Sequence, residues 1–99
     1  MIVKKHVAEG GRLILCVCDE DIIGKNFQTD DFKLDLSSDF YKGDKKTEHE
    51  TIKLIEAAYM INLVGDKSVE LGLKLRVISK QDIIKIDNIP YVQAVSMES

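Results

Sequence analysis

A chain of 99 residues, 44% of them hydrophobic and 31% charged, has material for one hydrophobic core and not two, so a single globular domain over residues 1–99 is expected. The formal charge of −3 excludes a protein held to nucleic acid chiefly by an overall basic surface, although a local basic patch stays compatible with it. No apolar run approaches the roughly 18 residues needed to cross a bilayer, and the start MIVKKHVAEGG lacks the apolar centre of a signal peptide. Two cysteines are too few for a disulfide scaffold, so the expectation is a cytoplasmic protein with free thiols and no membrane contact.

In chain order, residues 2–7 suit a short strand, Gly10 and Gly11 supply the permissive backbone of a hairpin turn, and residues 12–18 suit the partner strand. After Arg12 this second run is apolar on both faces, which is the pattern of a central strand covered on both sides. Cys16 and Cys18 then share one face, with Leu15 and Val17 on the other. Asp19 is placed to cap a single turn over residues 20–23, which Gly24 can end in a left-handed conformation. Residues 32–36 alternate as a half-buried strand, residues 37–43 make a turn or short helix, and residues 44–46 are a polar loop.

Thr47 and Glu50 form a T-x-x-E capping box, and Ile52, Ile55, Ala58 and Tyr59 follow at helical spacing. A long helix is expected from there to about Asn62, stopping before Gly65. The segment 69–77 is divided: Val69, Leu71, Leu73, Leu75 and Val77 alternate as in a strand, whereas Asp66 after Gly65 is a good helix cap. Residues 82–87 and 91–97 read as strands joined by a tight turn at 88–90. The fold class is therefore α+β, a mixed or antiparallel sheet packed against one long and one shorter helix.

The residues that could carry chemistry are few. Cys18, at a strand end beside a possible helix N-terminus, with Asp19 or Asp21 next to it, is the candidate nucleophile for an enzyme reading; the adjacent carboxylates oppose a thiolate, and His6 and His49 lie in no catalytic motif. Cys16, Cys18, His6 and His49 are the right ligand types for zinc but lack its paired short spacings, and no metal or cofactor is expected. Asp19, Glu20 and Asp21 read as a cap and a solvated acidic surface rather than a magnesium site. Gly24-Lys25 lacks the upstream glycine of a phosphate loop. Phe40, Tyr41 and Tyr91 lie in predicted turns near Lys25, Lys42, Lys45 and Lys46, and rings flanked by lysines can stack on bases or anchor a protein.

Taken together, CDEDIIGK at 18–25, LDLSSDFYKG at 34–43, a glutamate-opened helix ending in NLVG at 62–65, and NIPYVQAV at 88–95 resemble the small archaeal family known as domain of unknown function 424. The resemblance spans nearly the whole chain and implies that the segment after NLVG is a helix, over about Asp66 to Lys74. The family tends to have histidine after the proline, where this chain has Tyr91. The resemblance lends no activity. It points to Gly24, Lys25, Asp39, Tyr41, Gly43, Gly65, Pro90 and Gln93 as candidate binding residues, since several are polar groups or turn formers that core packing does not require. The expected arrangement has the turns at 18–25, 39–43 and 88–93 converging on a shallow groove floored by Cys18. The function expected is a non-enzymatic binding module working through a protein partner, with RNA or the translation machinery as the association that a small archaeal family suggests.

Overall fold

In the computed structural model, which describes residues 1–95, Ile2–Val7 (β1) and Leu13–Cys18 (β2) pair as an antiparallel hairpin. Its turn closes through the Ala8 N–H donating to the Arg12 carbonyl at 2.8 Å, with Gly10 and Gly11 at φ of 85° and 80°. These are angles that side-chain-bearing residues adopt at a cost.

From Cys18 the chain leaves the sheet and forms an arm. A turn over residues 20–24 leads into Asn26–Gln28 (β3), which pairs with Lys33–Asp35 (β4) in a separate two-stranded ribbon. After a further turn, Asp44–Lys45 (β5) returns to the edge of β1, where the sequence pattern had indicated only a loop. Gly43 permits this return, because a Cβ there would run into the Val3 backbone.

Glu48–Ala57 (α1) starts as expected, with the Glu50 N–H donating to Thr47 Oγ1 at 3.1 Å and the Thr47 N–H donating to Glu50 Oε1 at 3.0 Å. It ends earlier than expected. Ala58 turns extended at φ −79° and ψ 143°, the Tyr59 N–H donates to the Leu13 carbonyl at 2.8 Å, and Met60–Val64 (β6) runs as a strand parallel to β2. Helical spacing through Tyr59 concealed this boundary. The MINLV run is buried on both sides of a central strand, a site that favours apolar and β-branched side chains regardless of local helix preference.

Asp66–Lys74 (α2) follows directly, so the helix implied by the resemblance is present and the alternating pattern of residues 69–77 is overridden. Val69 and Leu71 are buried, while Leu73 and Leu75 pack at the margin of the same core. A short 3₁₀ turn over Lys80–Asp82 leads to Ile84–Ile86 (β7) and Ile89–Val95 (β8). The hairpin turn between them is Asp87-Asn88, at φ of 51° and 66°, one position earlier than expected, so Pro90 lies within β8. Two successive positive φ values are the signature of a type I′ turn, whose twist matches that of the flanking strands. The end of the expected last strand, at Met97, lies outside the described residues.

The sheet order is β5-β1-β2-β6-β8-β7, antiparallel except for β2 with β6. It carries an apolar layer on each face. Leu15, Val17, Leu63 and Val92 face α1 and α2, together with Ile55, Val69 and Leu71. Cys16, Cys18 and Val64 face the arm, which contributes Ile22, Leu34, Leu36 and Tyr41.

Candidate functional site

The ends of the two parallel strands meet at Asp19, and its role differs from the one expected. A turn does follow it, with the Ile22 N–H donating to the Asp19 carbonyl at 3.3 Å and Gly24 left-handed at φ 87°. The Asp19 carboxylate, however, reaches across to α2. Oδ2 accepts from the Lys67 N–H at 2.9 Å; Oδ1 accepts from the Ser68 N–H at 2.8 Å and from Ser68 Oγ at 2.7 Å. Asp19 thus caps a helix 48 residues further on, while Gly65 occupies the N-cap position at φ 103°. A Cβ at Gly65 would strike the Asp19 carboxyl group. The helix N-terminus, a natural seat for a bound anion, is filled by the protein's own carboxylate.

Cys18 lies immediately before this cap. Its side chain is 1% exposed, and its thiol donates to the Asp19 carbonyl at 3.4 Å. Burial first, and then the carboxylates of Asp19 and Asp21, push the thiol up to about 12. Cys16 is pushed up to about 11 by burial, against a smaller opposing effect from Asn62. Both thiols are free and neutral at ordinary pH. A nucleophilic cysteine needs the opposite shift and an open approach, so Cys18 as it is held here is not set up as a nucleophile. Among the described residues, no three His, Cys, Asp or Glu side chains gather in metal-binding geometry.

Beside the thiols runs a buried polar line that the sequence did not reveal. The Tyr91 hydroxyl donates to Asn62 Oδ1 at 3.2 Å, and Asn62 Nδ2 contacts Cys16 Sγ at 3.8 Å. Tyr41 packs against this line, and burial raises the phenols of both tyrosines above their ordinary range. Asn62 had been assigned to the tail of a helix. Its place on β6, the alternate position from Val64, brings it to the arm face.

The three turns expected to form a groove do meet, but through this apolar layer. Cys18, Ile22, Tyr41, Ile86, Ile89 and Tyr91 belong to one packed cluster. Tyr41, the expected aromatic anchor, is only 8% exposed. Pro90 and Gly65 are buried and joined through their backbones, the Gly65 N–H donating to the Pro90 carbonyl at 2.9 Å. Gln93 is exposed on β8, with its amide 3.1 Å from Met60 Sδ. Gly24, Lys25, Asp39 and Gly43 are exposed on the arm. The packing therefore gives Tyr41, Gly65 and Pro90 structural places, and Gly43 the backbone approach described above.

A more open arrangement lies along the β1–β5 edge. A cleft of about 230 Å³ is lined by Val3, Lys4, Lys5, Lys42, Gly43, Asp44 and Lys46. Four of these residues are lysines against one carboxylate, with Lys4 on the arm face of β1 and Lys5 on the other, and among the described residues none of the four pairs with an acid; Lys45 next to them is held by Glu20 at 3.4 Å. Phe40, two residues before Lys42, is 42% exposed. Its ring stacks on His6 with centroids 4.5 Å apart and 17° between planes, and meets Tyr41 edge-on at 5.1 Å. His6 Nε2 also donates to the Phe40 carbonyl at 3.0 Å, so strand and arm hold the stacked pair jointly. Lys42 and Lys46 were visible in the sequence as loop cations. Lys4, Lys5 and His6 join them only because the arm returns to the β1 edge.

Residues 7–97 match the family model described as "Protein of unknown function (DUF424)". The chain belongs to this family. A crystal structure of an uncharacterized conserved protein from Methanopyrus kandleri shares the fold of this DUF424 chain, with a TM-score of 0.79 at 22% identity, over 99% of this chain and 94% of the other. No curated protein matches the sequence. Among the described residues, no helix is long and apolar enough to cross a membrane.

Proposed function

We propose that the protein is a cytoplasmic binding module that holds single-stranded RNA across the β1–β5 edge. The observation that carries this reading is a cleft lined by Lys4, Lys42 and Lys46, which form no ion pair among the described residues, beside an exposed, stacked aromatic ring whose partner His6 shares the Lys4 face of β1. Lysines in a groove attract phosphates, and an aromatic face adds stacking that is worth about 1–3 kcal/mol per base. One face of Phe40 is taken by His6, so a base would extend the stack from the other. The overall charge of −3 does not oppose this, because in physiological salt a charge acts over only about 8 Å. Asp44 lies in the cleft and Glu20 on the neighbouring Lys45, while acids such as Asp31, Glu70 and Asp87 sit on other elements. A protein partner gripped through Tyr41 has less support, because that ring is enclosed.

The test is fluorescence anisotropy of a short labelled single-stranded RNA over a series of salt concentrations. A slope of about −0.7 in log affinity per neutralised phosphate gives about −2.1 for Lys4, Lys42 and Lys46. Lys42→Ala with Lys46→Ala should flatten this slope by about 1.4. Phe40→Ala should weaken binding without changing the slope. Affinity independent of salt, or no binding at low salt, would refute the proposal.

A further inference from the structure

The arm covers only part of the sheet face on which it lies. Residues directly opposite each other on paired strands point to the same face, so that face carries its side chains in rows across the sheet. One row holds Lys4, Cys16, Asn62 and Gln93, and the next, toward the β1–β2 turn, holds His6, Ile14, Met60 and Val95. Ile22, Leu34, Leu36 and Tyr41 of the arm close over Cys16, Cys18 and Val64. Ile14 and Met60 belong to neither packed layer and are only half-buried, although β2 and β6 are central strands.

This uncovered band continues directly from the stacked pair. His6, which carries the Phe40 ring, is the member of the row on β1, and Ile14 and Met60 follow it on β2 and β6. At the far margin Gln93 is exposed on β8, its amide 3.1 Å from Met60 Sδ. With neighbouring strands about 4.8 Å apart, the band crosses about 14 Å of sheet from β1 to β8. It offers an aromatic ring at one margin, an apolar floor, and an amide that can both donate and accept at the other.

We infer that the bases of a bound single strand lie on this band, running from Phe40 over Ile14 and Met60 to Gln93, while its phosphates sit at the lysine cleft. The inference rests on the RNA reading and extends it from the phosphate chain to the bases. A base has apolar faces and polar edges: the Met60 thioether and Ile14 suit the faces, and the Gln93 amide suits an edge. The unpaired lysines at the β1 margin favour a polyanion over a second copy of the chain, which would bring the same charge.

Short single-stranded RNA and inorganic polyphosphate, a chain of phosphates without bases, are titrated separately into the full-length protein at low salt, with amide chemical shifts as the readout. RNA should move the signals of Ile14, Met60 and Gln93 together with those of Lys42 and Lys46, and polyphosphate only those of the two lysines. Met60→Thr keeps a residue suited to a strand and should weaken RNA about fivefold, the low end of what contact with one base supplies, with polyphosphate affinity unchanged. Gln93→Ala, at an exposed position, should weaken RNA with the melting temperature unchanged. RNA that moves only the lysine signals, or binds both variants as tightly as the parent protein, would overturn this inference and leave the RNA reading standing. RNA that moves neither set would end both. Signals of Ile14 and Met60 that shift with protein concentration alone would assign the band to a second copy and overturn the inference as well.

Discussion

Asp19 and Gly65 form one joint, and a double-mutant cycle reads it directly. Asp19→Ala strips the acceptor from the Lys67 N–H, the Ser68 N–H and Ser68 Oγ. Lys67 is exposed and can recover water, but Ser68 is fully buried. Loss of a helix cap costs about 1 kcal/mol and an abandoned buried donor about 2 kcal/mol, so the single substitution should destabilise by about 3 kcal/mol. Gly65→Ala carries the strain of a side chain at φ 103°, about 1–2 kcal/mol, and adds the collision of its Cβ with the Asp19 carboxyl, about 1–3 kcal/mol. In the double variant the collision with the carboxyl group is gone, and only the close approach to the Cβ of residue 19 remains, so part of that cost of about 1–3 kcal/mol is kept. The combined loss should therefore fall short of the sum by about 1–2 kcal/mol. Urea unfolding followed by circular dichroism measures all three variants, and with a slope of about 1–3 kcal/mol per molar urea the single-variant midpoints move by roughly 1–3 M. Additivity within about 0.5 kcal/mol would mean that the carboxylate and Gly65 do not meet, and the capping argument would fall.

Thr47→Ala removes one half of the reciprocal cap of α1 and should lower stability by about 1 kcal/mol in the same urea assay; an unchanged midpoint would contradict the observed helix start. The two cysteines should resist a thiol reagent at pH 8 in the native protein and react fully once it is unfolded, because burial raises both thiols well above the ordinary value of 9.0. Since the folded-state values are the raised ones, the stability they contribute is complete below about pH 9 and is lost as pH rises toward 11 and 12. Alkaline unfolding should accordingly shift upward when both are replaced by alanine, and rapid native labelling of Cys18 at pH 8 would reverse the reading of the site.

Legibility in the sequence followed the range of the interaction involved. The Thr47–Glu50 box, the Gly10-Gly11 turn and the two-faced apolar run of β2 were readable because their causes lie within a few residues. The α1–β6 boundary was not, since helical spacing continues through Tyr59 and what ends the helix is a hydrogen bond to the Leu13 carbonyl. Within the candidate site, Lys42, Lys46 and Phe40 could be picked out as exposed loop residues, whereas Lys4, Lys5 and His6 looked like ordinary strand positions. Tyr41 was misjudged because a ring in a turn has no local mark that tells exposure from burial; the return of the arm across the sheet encloses it and leaves its neighbour Phe40 outside.

By itself the sequence determined the α+β class, the faces of β2 and the start of α1, all of which rest on periodicity and on caps that act over three or four residues. Tertiary structure alone decided where Asp19 sends its carboxylate. A carboxylate caps whichever free N–H groups lie nearest in space, and parallel pairing of β2 with β6 placed those of α2 within reach. It also decided that the lysines of β1 and those of the loop before α1 share one cleft, because that proximity exists only once Asp44 and Lys45 pair with Val3 and Ile2.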